Sequence, residues 1–315
     1  MTLNNHDSSL SDSQQIILSV LMMVSATLSI VGSSSIVYRV ALNPRKTKSY
    51  DRIMLGLSCA DIISSLSFLL SPILVPAETS SRVWAMGTNV SCAALGWLRQ
   101  LGFSSLGYNA FLSIYYVMIL RFDISTEDFA ASYEAFIHVL TIFYFLVTAT
   151  GGFLFQVYSE LPVGIGCWVS EGYCFKEEYC IGELLSWFFG AFAIIACFVI
   201  LMVSHLVIYF HIRGEFNREG VPAAQSVHIQ RVAIQGFLYV ISFCIAFVPA
   251  SILRYLEVYQ GYNESKEAEI YGLLVVHALC MPLQGKYRRL HSRTHSFDGL
   301  YSSLSWLLFY RISFN

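Results

Sequence analysis

Residues 16–38 read IILSVLMMVSATLSIVGSSSIVY, an apolar stretch without a charged residue. At the rise of an α-helix, a stretch of this length crosses the roughly 30 Å hydrocarbon core of a bilayer. Similar stretches follow it at Arg52–Val75, Ala93–Leu120, Glu134–Val157, Glu183–Phe210, Gln230–Leu253 and Ala268–Gly285. None alternates apolar and polar residues as the strands of a membrane barrel do. The sequence therefore predicts an all-α membrane protein, a bundle of seven transmembrane helices, numbered here as spans 1 to 7.

Composition agrees with a chain that lies mostly in lipid. Of the 315 residues, 56% are hydrophobic and only 13% are charged, and the mean hydropathy is +0.58. Soluble domains carry about 25% charged residues. We expect a tail at residues 1–15, a membrane domain at 16–285 and a second tail at 286–315. The net charge of −2 argues against a nucleic-acid partner, and the bilayer is the first partner expected.

The positions of the basic residues predict the orientation. Residues 1–15 contain no Lys or Arg, whereas the connections after spans 1, 3 and 5 and the C-terminal tail contain most of them. Basic residues collect on the cytoplasmic side, which predicts the N-terminus outside and the C-terminus inside. The two glycosylation sequons, at Asn89 and Asn263, both fall in loops on the predicted outer side. We expect a multi-pass plasma-membrane protein whose first span is an uncleaved signal anchor.

Four of the eight cysteines lie at or near the predicted outer side. Cys92 opens span 3, and Cys167, Cys174 and Cys180 lie in the loop before span 5. The oxidising exterior permits disulfides there. We expect a Cys92–Cys167 bridge that ties this loop over the bundle, and a local Cys174–Cys180 bridge. A zinc site is the alternative, but the loop contains no histidine.

Ionisable and polar side chains within the spans are the candidate functional residues. Asp61 lies in the middle of span 2. Arg99, followed by Gln100, lies about 10 Å below the start of span 3 by helical rise. Arg99 is positioned either to receive an anionic or polar ligand, or to pair with Glu183 or Glu257.

Further candidates lie near the predicted outer side. Trp168 and Trp187 either line the mouth of a ligand pocket or belong to the aromatic belt at the interface. Arg254 is explained by snorkelling to water as well as by ligand binding. His277 in span 7 is either a packed core residue or a pocket residue.

The sequence contains no catalytic motif of the nucleophile-elbow, zinc-protease or phosphate-loop type. We therefore expect no enzyme activity, no metal and no cofactor. A retinal protein requires a lysine within span 7, and Ala268–Gly285 has none. A transporter is the remaining alternative, although no internal repeat or pair of midplane charges is evident.

Several motifs follow one another along the spans. The most extensive is in span 3, where Cys92 and Gln100 precede Tyr108-Asn109-Ala110-Phe111-Leu112-Ser113-Ile114-Tyr115-Tyr116. The others are Gly32-Ser33, the stretch from Ser49 to Leu66, Gly166-Cys167-Trp168-Val169, Arg231-Val232-Ala233-Ile234-Gln235, Arg254 and Pro282-Leu283-Gln284-Gly285. From Gly32 to Gly285 the chain resembles the cyclic-AMP-receptor-like branch of G-protein-coupled receptors, which includes slime-mould chemoattractant receptors and relatives in algae and diatoms.

The resemblance implies a receptor that binds an extracellular small molecule and activates a heterotrimeric G protein by helix rearrangement. It supports the Cys92–Cys167 bridge and makes Asp61, with Asn109, the polar hub of the bundle. The residues that it assigns to the face toward the G protein are Arg52, Tyr116, Arg121 and Arg231.

The chain departs from the family pattern in two places. Span 3 ends in Ile119-Leu120-Arg121-Phe122-Asp123, without the Asp-Arg-Tyr triplet of the large animal receptor family, which this branch generally lacks. After Gly285 the relatives continue an apolar half-helix, whereas this chain turns basic at Lys286. The tail is therefore atypical or a mispredicted gene end. A non-signalling decoy receptor with a shortened span 7 is the alternative to an intact receptor.

Overall fold

The computed structural model describes residues 10–42, 48–78, 82–161, 163–169, 192–216, 240–241, 243–257 and 264–282. The first helices are α1 (Asp12–Leu42), α2 (Ser49–Leu74), α3 (Asn89–Gly102) and α4 (Ser104–Arg121). A short α5 (Thr126–Phe129) and a π-helical turn (Ala130–Glu134) lead into α6 (Ala135–Leu154). Strands β1 (Tyr158–Glu160) and β2 (Cys167–Val169) form an antiparallel hairpin. The later helices are α7 (Phe192–Phe216), α8 (helical residues 240–241 and 243–257) and α9 (Tyr271–Cys280), which a 3₁₀ turn (Glu264–Ile270) precedes.

Five helical segments are long and apolar enough to cross a membrane: Asp12–Leu42, Ser49–Leu74, Asn89–Arg121, Thr126–Leu154 and Phe192–Gly214. They overlap predicted spans 1 to 5; residues 183–191 of span 5, and parts of spans 6 and 7, lie outside the described residues. In α6, large apolar side chains such as Phe136 (62% exposed), Val139 (65%) and Phe143 (64%) face outward. Such a continuous apolar surface is unfavourable in water and favourable in lipid. The architecture is that of an all-α membrane protein.

Small residues allow the helices to pack closely. Ser25, Ser29 and Ser33 of α1 are buried, and the Ser25 hydroxyl donates to the Ala278 carbonyl of α9 at 2.9 Å. Where α3 crosses α2, a methyl group added to Gly102 would lie 2.6 Å from the Ser64 Cα. Lipid provides no hydrophobic force between helices, so close van der Waals packing at small residues stabilises the bundle.

Two apolar cores lie one above the other inside the bundle. One includes Phe68, Phe103 and Phe247, on α2, between α3 and α4, and on α8. The other, toward the end that carries α5, includes Ile53, Leu112 and Phe129. We call the end that carries the β1–β2 hairpin the hairpin end and the other the α5 end. Both ends carry buried polar side chains, such as Arg99 at the hairpin end and Glu134 at the α5 end.

Tyr158 of β1 is a wedge between α3 and α6. Its hydroxyl donates to the Ala149 carbonyl at 3.0 Å, and burial raises the pKa of the phenol, which keeps it a neutral donor. A Cβ at Gly96 would lie 2.6 Å from the ring, and one at Gly152 would lie 2.5 Å from the hydroxyl. Because neither glycine has a Cβ, the Tyr158 ring fits between the two helices.

Gly152→Ala should therefore destabilise the protein by about 1–3 kcal/mol, the usual cost of overpacking a filled site. The measurement is the Tm of the purified full-length protein in detergent. Gly272→Ala is the matched control, because a Cβ there meets no atom within 4 Å. If both variants melt at the wild-type temperature, Tyr158 is not a tightly fitted wedge.

Candidate functional site

A disulfide and the hairpin build the site at the hairpin end. Cys92, in the first turn of α3, is bonded to Cys167 of β2, and both are buried. The Cα atoms are 5.3 Å apart and the bridge closes a sequence separation of 75. The pairing is the one expected from the sequence. It places Gly166 and Trp168, on either side of Cys167, over the interior of the bundle.

Arg99 lies beneath this hairpin with 3% of its surface exposed. Its Nη2 donates to the Ser71 hydroxyl at 2.9 Å, and its guanidinium carbon lies 4.4 Å from the centre of the Phe68 ring. Gly166, with a φ of +135°, packs on the other side; a Cβ there would lie 2.5 Å from Nη2. Glycine is required at this position both by the backbone conformation and by the close approach.

Gln100 connects the hairpin to α6. It is fully buried; its amide nitrogen donates to the Thr148 hydroxyl at 3.1 Å and its carbonyl accepts from the Trp168 indole at 2.9 Å. The Trp168 ring meets Phe103 edge to face, with centroids 5.2 Å apart. The sequence-predicted Gln100 and Trp168 are therefore in direct contact.

Arg254 and His277 bring α8 and α9 to the same region. The Arg254 guanidinium lies 5.9 Å from the Trp168 ring centre and pairs with Glu257 at 2.6 Å. His277 lies within electrostatic range of Arg99. Since Glu257 pairs with Arg254, the structure does not provide the Arg99–Glu257 pair that was one alternative from the sequence. Arg99, Gln100, Trp168, Arg254 and His277 converge as one cluster, which we call the Arg99 cluster.

A second group at the hairpin end was not predicted from the sequence. Arg82 and Glu267, 185 positions apart, form a bidentate ion pair at 2.7 and 2.9 Å, with 4% and 1% of their side chains exposed. Glu267 also accepts the Gly164 N–H at 2.5 Å. These contacts connect the segment after α2, the hairpin turn and the 3₁₀ turn that precedes α9. We call these three residues the clasp; nothing in the sequence related them to one another.

Asp61 and Asn109 are buried as expected for a polar hub, with 2% and 7% exposed. The hydroxyl of Tyr108, which precedes Asn109 in the sequence, lies 3.0 Å from His138 Nδ1. The described residues contain no group of three or more His, Cys, Asp or Glu side chains suited to hold a metal ion.

At the α5 end, Arg52 of α2 forms an ion pair with Glu134, with Nη2 2.7 Å from Oε2. Tyr116 is 7% exposed and contacts the rings of Tyr50 and Tyr115. Arg121, at the end of α4, is exposed. The assignment of Arg52, Tyr116 and Arg121 to a G-protein face stays a prediction, and Tyr116 is covered in this conformation.

Glu134→Gln should destabilise the protein by no more than about 1 kcal/mol, because the Arg52 side chain is 39% exposed and solvent screens the pair. A double-mutant cycle with Arg52→Gln, read as Tm in detergent, measures the coupling. Glu127→Gln, an exposed acid in α5, is the control. A coupling energy well above about 1 kcal/mol would contradict the argument that solvent screens this pair.

Asn89, the first residue of α3, is exposed, which leaves it accessible to modification. The remaining candidates lie outside the described residues. They are Cys174, Cys180, Glu183 (the other expected partner of Arg99), Trp187, Arg231, Asn263 and the tail at 286–315.

A scan against protein-family models finds no match for this chain. A search of curated proteins finds no match either.

Proposed function

We propose that this chain is a seven-span plasma-membrane receptor of the cyclic-AMP-receptor-like type. Its N-terminus lies outside, it binds an extracellular small molecule at the hairpin end, and it activates a heterotrimeric G protein from the α5 end. The main observation behind the proposal is the hairpin, bonded to α3 by Cys92–Cys167, which lies over a buried polar cluster that joins α3, α6 and α8. A few convergent polar groups of this kind are what fix the orientation of a small molecule in a binding site.

An aromatic series supports a route from this cluster to the later helices. Phe103 contacts Trp168 at 5.2 Å and Phe247 of α8 at 6.4 Å. Phe247 in turn contacts Phe243 at 4.6 Å, and Phe243 stacks on Phe198 of α7 at 6.1 Å. A ligand that shifts Trp168 would repack Phe103, which lies at the break between α3 and α4, and thereby bias the position of span 6.

The α5 end supplies the partner surface in this proposal. Arg121 is exposed there, and the Arg52–Glu134 pair holds α2 against the segment that begins α6. Opening of the bundle would uncover Tyr116. Basic and tyrosine side chains would then form a surface that is exposed only in the active state. The G protein would bind the active state more tightly than the inactive one, and this difference in affinity is what activation requires.

The test is full-length protein in cells that carry a panel of G-protein activation sensors, challenged with small polar metabolites. We expect a ligand-dependent signal from at least one sensor, and a loss of that signal in Phe103→Ala at equal surface expression. Phe153→Ala, an exposed ring on α6, is the control that should signal normally. Flux of a metabolite into vesicles without a response from any sensor would favour a transporter and contradict the proposal.

A further inference from the structure

We propose that Arg99 binds the oxyanion of a small ligand, a carboxylate or a phosphate, so that the cluster under the hairpin takes anions. Its place in signalling rests on the function proposed above. The binding step itself rests only on the environment of Arg99.

Arg99 is a buried cation without a described counter-charge. Among the described residues its guanidinium contacts one hydroxyl, Ser71, and one aromatic ring, Phe68, and it makes no ion pair. Its buried Nε has no hydrogen-bond acceptor in the described part of the chain. A charge taken out of water is costly unless an opposite charge and further hydrogen bonds compensate it. An anionic ligand would supply both.

The other basic residues described near Arg99 form ion pairs with acidic residues. Glu257 pairs with Arg254, and Glu267 pairs with Arg82. Asp61, on the same helix as Ser71, lies ten residues away, about 15 Å along the axis. None of these three carboxylates is therefore the partner of Arg99.

The donors of the Arg99 guanidinium and the groups packed around it favour a small ligand with an oxyanion. A guanidinium carries five N–H donors in a planar fork, which matches the two oxygens of a carboxylate or phosphate. Phe68 covers one face of the guanidinium, and the Gly166 backbone packs close to Nη1 and Nη2. Nη2 donates to Ser71, whereas the buried Nε has no acceptor among the described residues. The Trp168 indole and the second cation, Arg254, lie on the hairpin side of the same cluster.

Purified full-length protein in detergent, titrated with sodium acetate or sodium phosphate against sodium chloride at equal ionic strength, tests the proposal. We expect a saturable rise of Tm with acetate, phosphate or both, the stabilisation that a ligand specific for the folded state produces. Arg99→Gln should abolish the rise and Arg99→Lys should weaken it. Arg121→Gln, which removes an exposed arginine, should leave it unchanged. The two salts distinguish a carboxylate site from a phosphate site.

Equal titrations of wild type and Arg99→Gln, or no rise in wild type, would overturn the proposal. So would a rise that appears only in Glu183→Gln, because it would show that Glu183 of this chain occupies the guanidinium. The titration measures only Tm, so its result does not depend on whether the protein activates a G protein. If anions raise the Tm of a protein that activates no G protein, the anion site stands and the proposed receptor function is wrong. If the protein activates a G protein but anions do not change its Tm, the receptor function stands and the anion site is wrong.

Discussion

Glu267→Ala should lower the stability of the protein by about 3–5 kcal/mol, the largest effect that we expect from a single charge. Both members of the Arg82–Glu267 pair are buried, and the variant leaves the Arg82 guanidinium without its bidentate partner. It also removes the acceptor of the Gly164 N–H. The Tm of the full-length protein in detergent should fall by roughly 5–10 °C.

Two further variants identify the cause of this loss. Glu269→Ala removes an exposed acid two positions away and should change Tm little. Arg82→Met combined with Glu267→Leu removes both charges and should recover much of the stability, because a buried pair replaced by apolar residues is often neutral. A double variant as unstable as Glu267→Ala would mean that the geometry of the hairpin turn, and not the loss of the carboxylate opposite Arg82, explains the result.

Removal of the disulfide should have an effect of similar size. The Cys92–Cys167 bond closes a sequence separation of 75, and chain-entropy estimates for such a loop give roughly 4 kcal/mol. Cys92→Ala and Cys167→Ala should each lower Tm strongly and reduce the amount of protein at the cell surface. Because the hairpin holds Trp168 against Gln100, both variants should also weaken binding at the Arg99 cluster.

If the lost bond causes the destabilisation, the stabilities of the single and double cysteine variants should be related. The double variant Cys92→Ala/Cys167→Ala should be no less stable than either single variant, since each alone already breaks the bond. Cys59→Ala, which removes an exposed free cysteine in α2, is the matched control and should behave as wild type. Additive losses in the double variant would indicate packing defects instead of a lost bond.

The membrane class and the first spans were predictable because hydropathy depends on composition alone. The five membrane-length helices lie where apolar stretches predicted them, although their ends differ. Helix α1 begins at Asp12, before the first apolar residue of the predicted span, because helical backbone continues past the apolar stretch into its polar flanks. Hydropathy therefore locates a span better than it locates its ends.

The clasp could not be predicted, because nothing in the local sequence relates Arg82 to Glu267. In the sequence, both are charged residues of predicted loops. They become buried together only where the hairpin turn packs against the 3₁₀ turn that precedes α9. The Arg99 cluster was partly predictable: an arginine inside an apolar span is costly enough to indicate a role. Its partners Ser71 and Phe68 were missed, since hydroxyl and aromatic residues are common in every span.

The most direct test of the topology of the proposed receptor, which requires an odd number of spans, places one epitope tag at each end of the full-length protein. Antibody binding is then measured before and after cells are permeabilised. We predict that the N-terminal tag is accessible on intact cells and that the C-terminal tag becomes accessible only after permeabilisation. Both tags on the same side of the membrane would require an even number of spans. That result would contradict the seven-span receptor proposed here.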